Sequence, residues 1–162
     1  MTLQSPRELI VQSLTGTRLW LIAAGKPTGS ILNLGFGERE KRRVLLKNPA
    51  RTPMERNFAP TISLTMFCAW RVRHGKRFIA TWRDPNLRGG PMLSGLEHLR
   101  DRRVIKATIA PTIADLTLRL EGGYALEVFA DIRDGEESDM NYVFRCGATT
   151  FRCTPDGSLE RM

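Results

Sequence analysis

The 162-residue chain has little of what usually announces a reaction: three cysteines, two histidines, aromatic side chains at 7%, and no apolar run near the roughly 18 residues of a membrane span. An odd cysteine count argues against a complete disulfide framework and for a reducing compartment, with Cys68, Cys146 and Cys153 packing as small apolar side chains. The Cys146/Cys153 spacing is too long for a zinc site. His74 and His98 fall in an expected turn and an expected helix, so neither metal nor cofactor is expected. So few aromatics leave no ladder of exposed rings on which bases would stack. No basic stretch followed by an unbroken apolar segment opens the chain, because Gln12, Ser13, Thr15, Thr17 and Arg18 interrupt residues 9–24. The reading is therefore an unprocessed, cytoplasmic protein with no membrane partner.

What the chain has in excess is positive charge, unevenly placed. The net charge is +8, but residues 1–110 hold 20 Lys and Arg against 7 Asp and Glu, whereas residues 111–162 hold 5 against 10. A basic balance of this kind suits nucleic acid, an anionic surface or an acidic protein partner, and by itself does not choose among them. Hydrophobic content of 41% and charged content of 26% are ordinary for a globular domain, and the length suits one domain over 1–162 with a core that needs no staples.

Alternation gives the fold class. Leu116, Leu118 and Leu120 alternate with polar residues, and after Gly122-Gly123 the pattern resumes at Tyr124, Leu126, Val128, Ala130 and Ile132, a period of two. A three-residue loop of Glu121, Gly122 and Gly123 pairs Leu120 with Tyr124, Leu118 with Leu126 and Leu116 with Val128. A slip of one residue would turn every apolar side chain to the wrong face. Gly123 then takes the left-handed position of the loop. A second hairpin is expected around Gly147-Ala148, pairing Phe144 with Phe151 and Tyr142 with Cys153. It leaves Cys146 and Cys153 about 13 Å apart along the strand, too far for a disulfide.

Elsewhere the signals are local. Ser5-Pro6-Arg7-Glu8 reads as a capping box opening a helix to about Leu14, stopped by Gly16. Residues 18–24 and 30–36 read as strands around the turn Gly25-Lys26-Pro27-Thr28-Gly29. Residues 104–120 repeat the arrangement, either as a weak internal duplication or as two hairpins of similar length. Residues 38–60 carry Lys41, Arg42, Arg43, Lys47, Arg51 and Arg56 without a clean period and are read as a long basic loop. Ile62, Leu64, Met66, Cys68, Trp70 and Val72 form the longest alternating run and are read as one strand. It turns through His74-Gly75-Lys76 and returns as Phe78, Ala80 and Trp82. Val72 is expected opposite Phe78 and Cys68 opposite Trp82, with Arg71, Arg73, Arg77, Ile79, Thr81 and Arg83 on the other face. An edge strand at 62–72 would support a dimer. A second capping box, Ser94-Gly95-Leu96-Glu97, predicts a helix to about Arg102, with Arg100, Arg102 and Arg103 favouring its last turn.

No catalytic residue is assigned. Cys68 lies on the apolar face, where a thiol is inert. The segment from Gly25 to Gly29 lacks the spacing of a phosphate loop and places proline between Lys26 and Thr28. Asp131, Asp134, Glu136, Glu137 and Asp139 lack the spacing of an EF-hand and read as a solvated acidic loop. Trp70-Arg71 and Trp82-Arg83-Asp84 combine the side chains that dominate protein interfaces, although core tryptophans beside solvated arginines account for them equally.

These residues also carry a resemblance. Gly35-Phe36-Gly37, Cys68-Ala69-Trp70-Arg71, Ile79-Ala80-Thr81-Trp82-Arg83-Asp84, then Asp115-Leu116-Thr117-Leu118 with Leu126-Glu127-Val128-Phe129, resemble a loosely defined family of small uncharacterised bacterial all-β proteins, some similar to immunity proteins of polymorphic toxin systems. The chain departs from that pattern at Trp82, where a small residue is more typical, and in the heavy charge of 38–60. The resemblance implies a non-enzymatic binding role and no catalytic residue. The expected fold is mainly antiparallel β, a sandwich or partly open barrel of about eight or nine strands with two short helices. The expected function is neutralisation of an acidic protein partner, such as a toxin or other effector, by a monomer or homodimer. The candidate partner-binding residues are Arg42, Arg43, Arg71, Arg73, Arg77, Trp82, Arg83 and Asp84. The alternative is a nucleic-acid-binding module using the same arginines.

Overall fold

In the computed structural model, which describes residues 3–29, 31–49, 51–133 and 139–162, both hairpins form in the register that alternation sets. Strands β7 (Leu116–Leu120) and β8 (Tyr124–Phe129) pair Leu116 with Val128, Leu118 with Leu126 and Leu120 with Tyr124. Gly122 and Gly123 both sit at φ +81° between them. Strands β9 (Tyr142–Cys146) and β10 (Thr149–Cys153) pair Phe144 with Phe151 and Tyr142 with Cys153, and all three cysteines are free thiols. β8 ends at Phe129 rather than at Ile132, because the amide of Ala130 is taken by the Asp115 carboxylate at 2.7 Å instead of a strand neighbour.

The remaining elements are α1 (Pro6–Leu14), β1 (Leu19–Ala23), a 3-10 turn at Lys26–Thr28, β2 (Leu32–Lys41), α2 (Pro53–Asn57), β3 (Phe58–Met66), β4 (Ala69–His74), β5 (Arg77–Thr81), α3 (Pro91–Glu97), β6 (Val104–Ile109) and β11 (Leu159–Arg161). Eleven described strands make two antiparallel sheets, a six-stranded one in the order β1-β2-β3-β9-β10-β11 and a five-stranded one in the order β5-β4-β8-β7-β6. Inward side chains of both, among them Phe36, Leu64, Phe144, Trp70, Leu118 and Leu126, form one continuous core. At one side the leading ends of β1 and β6 are stitched by an Arg18–Arg103 bridge and by Val104 N–H to Thr17 O at 2.8 Å. α1 packs against β6 and β11.

Three expectations change here. The run 62–72 is two strands, β3 in one sheet and β4 in the other. Its even residues stay buried throughout, so the alternation continues unbroken while the chain crosses between layers. The ladder stops where the amides of Phe67 and Cys68 both turn to the Asn141 carbonyl, at 2.9 and 3.2 Å. Both strands lie inside their sheets, so neither offers an edge to a second copy. The β4–β5 turn is two residues, Gly75-Lys76, pairing His74 with Arg77. That register alone would turn Ala80 outward. A bulge at Ile79 turns it inward again, setting Val72 opposite Ala80 instead of the expected Phe78 and leaving Phe78 opposite Arg73, 65% exposed. The third helix starts at Pro91 with Gly90 as N-cap, not at Ser94. Proline lacks the amide that a first turn leaves unpaired, and Glu97 bonds Arg100 instead of capping.

The loop 38–60 is mostly structured. Residues 38–41 prolong β2 beyond a bulge after Phe36, and 58–60 begin β3. Between them Thr52 and Glu55 form a full capping box, the same Ser/Thr-Pro-x-Glu pattern as Ser5 to Glu8. Glu55, 4% exposed, also takes the Arg100 guanidinium at 3.3 Å, and Arg100 donates to Trp20 O at 2.9 Å. Thr52→Ala removes one capping bond and should lower unfolding stability by about 1 kcal/mol in urea titration.

Candidate functional site

The outward rows of the five-stranded sheet follow from its registers. One row runs Phe78, Arg73, Ala125, Arg119, Lys106, and the next runs Thr81, Arg71, Glu127, Thr117, Thr108. Glu127 is the only acid in either row. Arg71 Nε bonds one of its oxygens and Arg73 Nε the other, and the Glu127 side chain keeps only 12% of its exposure against 39% and 33% for the arginines. Burial pushes the Glu127 carboxyl up, but the hydrogen bonds and charges of Arg73 and Arg71 outweigh it and hold the group below the usual carboxylate range. Arg71 is further fixed between rings, its guanidinium carbon 5.1 Å from the centroids of both Phe78 and Phe129. Two cations share one carboxylate, and both are held in place by it.

Arg119 and Lys106 face each other directly across β6 and β7. Like charges in directly opposed positions destabilise a sheet. Neither has an ion-pair partner among the described residues. Sequence reasoning did not single them out, although the β7–β8 register already placed Arg119 beside Ala125 on the outer face.

The other expected residues divide between two places. Arg77 opens β5 beside Phe78, and Trp82, 40% exposed, lies where β5 ends, with Arg83 over its ring at 5.1 Å. Trp82 and Phe67 line a cavity of about 180 Å³ above Cys68. Asp84 is occupied locally, its carboxylate accepting the Thr81 amide at 2.7 Å. Arg42 and Arg43 follow β2 in the other layer. There Arg42 donates to Glu55 O at 3.2 Å, and burial together with the charges of Arg51 and Arg145 lowers its pKa. The eight residues therefore do not make one site. Arg71, Arg73, Arg77, Trp82 and Arg83 belong to β4 and β5 and the turn after them, and Arg42 and Arg43 belong elsewhere.

The thiols are poorly set for nucleophilic chemistry. Burial, reinforced by Asp131, pushes Cys68 up to about 12, and burial pushes Cys153 up to about 11. The two histidines meet around Tyr124, at 4.3 Å for His74 and 5.8 Å for His98, with Arg102 4.2 Å from the same ring. His74 Nε2 lies 2.9 Å from Gly122 O, so the cluster braces the β7–β8 turn. Asp131 accepts the Ala69 amide at 3.1 Å, whereas Asp134, Glu136 and Glu137 of the acidic segment lie outside the described residues. Among the described residues no three His, Cys, Asp or Glu stand together as a metal site, and no helix is long and apolar enough to cross a membrane. No family model, curated protein or solved structure matches the chain.

Proposed function

We propose that the chain is a non-enzymatic binding protein that docks an acidic protein partner on the outer face of the five-stranded sheet, in the manner of an immunity protein or other stoichiometric inhibitor. The observation that carries this reading is the pre-set arginine pair. Arg71 and Arg73 are immobilised by Glu127 and by Phe78 and Phe129, so little side-chain freedom remains to be lost on docking. Exposed Phe78 adds aromatic surface beside them, the combination on which protein interfaces concentrate their affinity. The opposed Arg119 and Lys106 supply long-range attraction, and an anionic partner relieves their repulsion. The strand-pattern resemblance to immunity proteins points to the same class.

A photo-crosslinking side chain placed at Phe78 tests this in lysate of the source cells, run in parallel without nuclease and after nuclease treatment. The expected product is a single protein adduct of acidic composition, reduced at least tenfold by Lys106→Glu with Arg119→Glu. The single change Lys106→Glu should meanwhile raise unfolding stability by about 0.5 kcal/mol, since it converts a like-charge pair into an opposite one. An adduct with nucleic acid alone, or one indifferent to the charge reversal, assigns the surface to phosphate binding or to no partner and overturns the reading.

A further inference from the structure

The opposite layer carries a second basic surface with a different chemistry. Between β2 and α2 the chain is pinned twice, by Arg42 N–H to Asn57 O at 2.8 Å and by Leu46 N–H to Arg56 O at 3.1 Å. The three residues between those anchors, Arg43, Val44 and Leu45, project as a tip. Val44 is 80% exposed and Leu45 52%, an adjacent aliphatic pair left in water at the apex of a loop whose base is fixed. Around it stand Lys41, Arg42, Arg43, Lys47 and Arg51, none of them in an ion pair among the described residues. Beyond Lys47, Pro49 forms one wall of a cleft of about 670 Å³ whose lining adds two more cations, Lys26 and Arg88, and the 58% exposed Leu87.

We infer that this loop is a peripheral attachment site for an anionic lipid surface, with Val44 and Leu45 entering the headgroup layer and the surrounding cations held by lipid phosphates. A bilayer interface is the anionic partner that takes both features at once, since it offers acyl chain to the apex and negative charge to the rim. A nucleic acid would use the cations and leave the aliphatic pair in water, and the tip presents no ring for a base to stack on. The chain needs no spanning helix for this, and no helix among the described residues is long and apolar enough to be one.

Co-sedimentation of the full chain with vesicles tests it, using phosphatidylcholine alone and phosphatidylcholine with an equal part of phosphatidylglycerol. The protein is expected to pellet with the anionic vesicles only. Each cation removed near a charged bilayer weakens partitioning about fivefold, so Arg43→Ser with Lys47→Ser should cost about 25-fold. Val44→Ser with Leu45→Ser should cost about tenfold at unchanged net charge. All four positions are exposed, and unchanged thermal unfolding of both double variants establishes that folding is not at issue. Failure to pellet with anionic vesicles overturns the inference. So does equal binding to both vesicle types. Binding that ignores the aliphatic substitutions and is displaced by a generic oligonucleotide assigns the loop to nucleic acid instead.

Discussion

Glu127→Gln should lower unfolding stability by about 2 kcal/mol at neutral pH, the loss expected when a charge-assisted pair of hydrogen bonds becomes neutral and two guanidiniums face each other without a counter-charge. The figure is kept below that of a fully buried pair because Arg71 and Arg73 remain about a third exposed and water screens them. The pH dependence identifies the cause. The folded carboxyl titrates below its ordinary value of 4.5, so its contribution is complete above that value and is lost as pH falls through the lower folded pKa. The difference between Glu127→Gln and the parent should therefore be constant from about pH 5 to pH 8 and shrink in more acidic solution. A difference that persists unchanged at acid pH would assign the cost to packing. The variant also separates stability from recognition, since it frees Arg71 and Arg73 to move without removing either. Weaker capture through Phe78 at full occupancy of the folded state is the result expected if their immobilisation matters to docking.

What the sequence made legible was local. Leu116 to Val128 and Tyr142 to Cys153 were readable to the residue because each pair is joined by a loop of two or three residues, and alternation fixes which face is buried. Residues 62–72 misled for a physical reason. A strand that crosses from one sheet to the facing one keeps its even side chains in the same core, so the hydrophobic pattern carries no mark of the crossing. The bulge at Ile79 was hidden in the same way, because what requires it is a two-residue turn whose register would otherwise expose Ala80. Thr52-Pro53-Met54-Glu55 carries the capping pattern in plain sequence, but the prolines and arginines of 38–60 around it break the period that would mark a helix. The arginines were recognised as surface residues, yet their division between two layers depends on sheet order, and only long-range pairing sets that. Glu127 shows the limit most plainly. In the sequence it is one polar residue of an alternating strand, and its role arises only when β4 brings Arg71 and Arg73 to either side of it.

Asn141→Ala should be the most damaging single change among polar residues, at about 3 kcal/mol for three side-chain hydrogen bonds worth about 1 kcal/mol each. Asn141 is fully buried. Its Oδ1 accepts from Ile132 N–H at 2.8 Å, and its Nδ2 donates to Thr154 O at 2.9 Å and Ile132 O at 3.3 Å. Its backbone carbonyl takes the amides of Phe67 and Cys68 where β3 gives way to β4, and its own amide bonds Cys153 O at 2.7 Å. One residue thus satisfies the crossover between sheets, the segment leaving β8 and the end of β10, all in places where no ladder can do so. Alanine removes the side-chain partners of the Ile132 amide and carbonyl, in a half-buried segment, and of the Thr154 carbonyl, where the bond is fully buried. Asn141→Asp distinguishes lost bonds from lost volume. Its ionised carboxylate can accept from Ile132 but meets two carbonyl acceptors with no proton to offer, so the group should titrate above its ordinary value in the folded state. Its penalty should be large at neutral pH and ease as acidification returns the proton, whereas the penalty of Asn141→Ala stays level over the same range. Urea titrations at neutral and mildly acid pH read both. A loss under about 1 kcal/mol for Asn141→Ala would mean that water enters and replaces the side chain, and the corner between the sheets would then be held by the backbone alone.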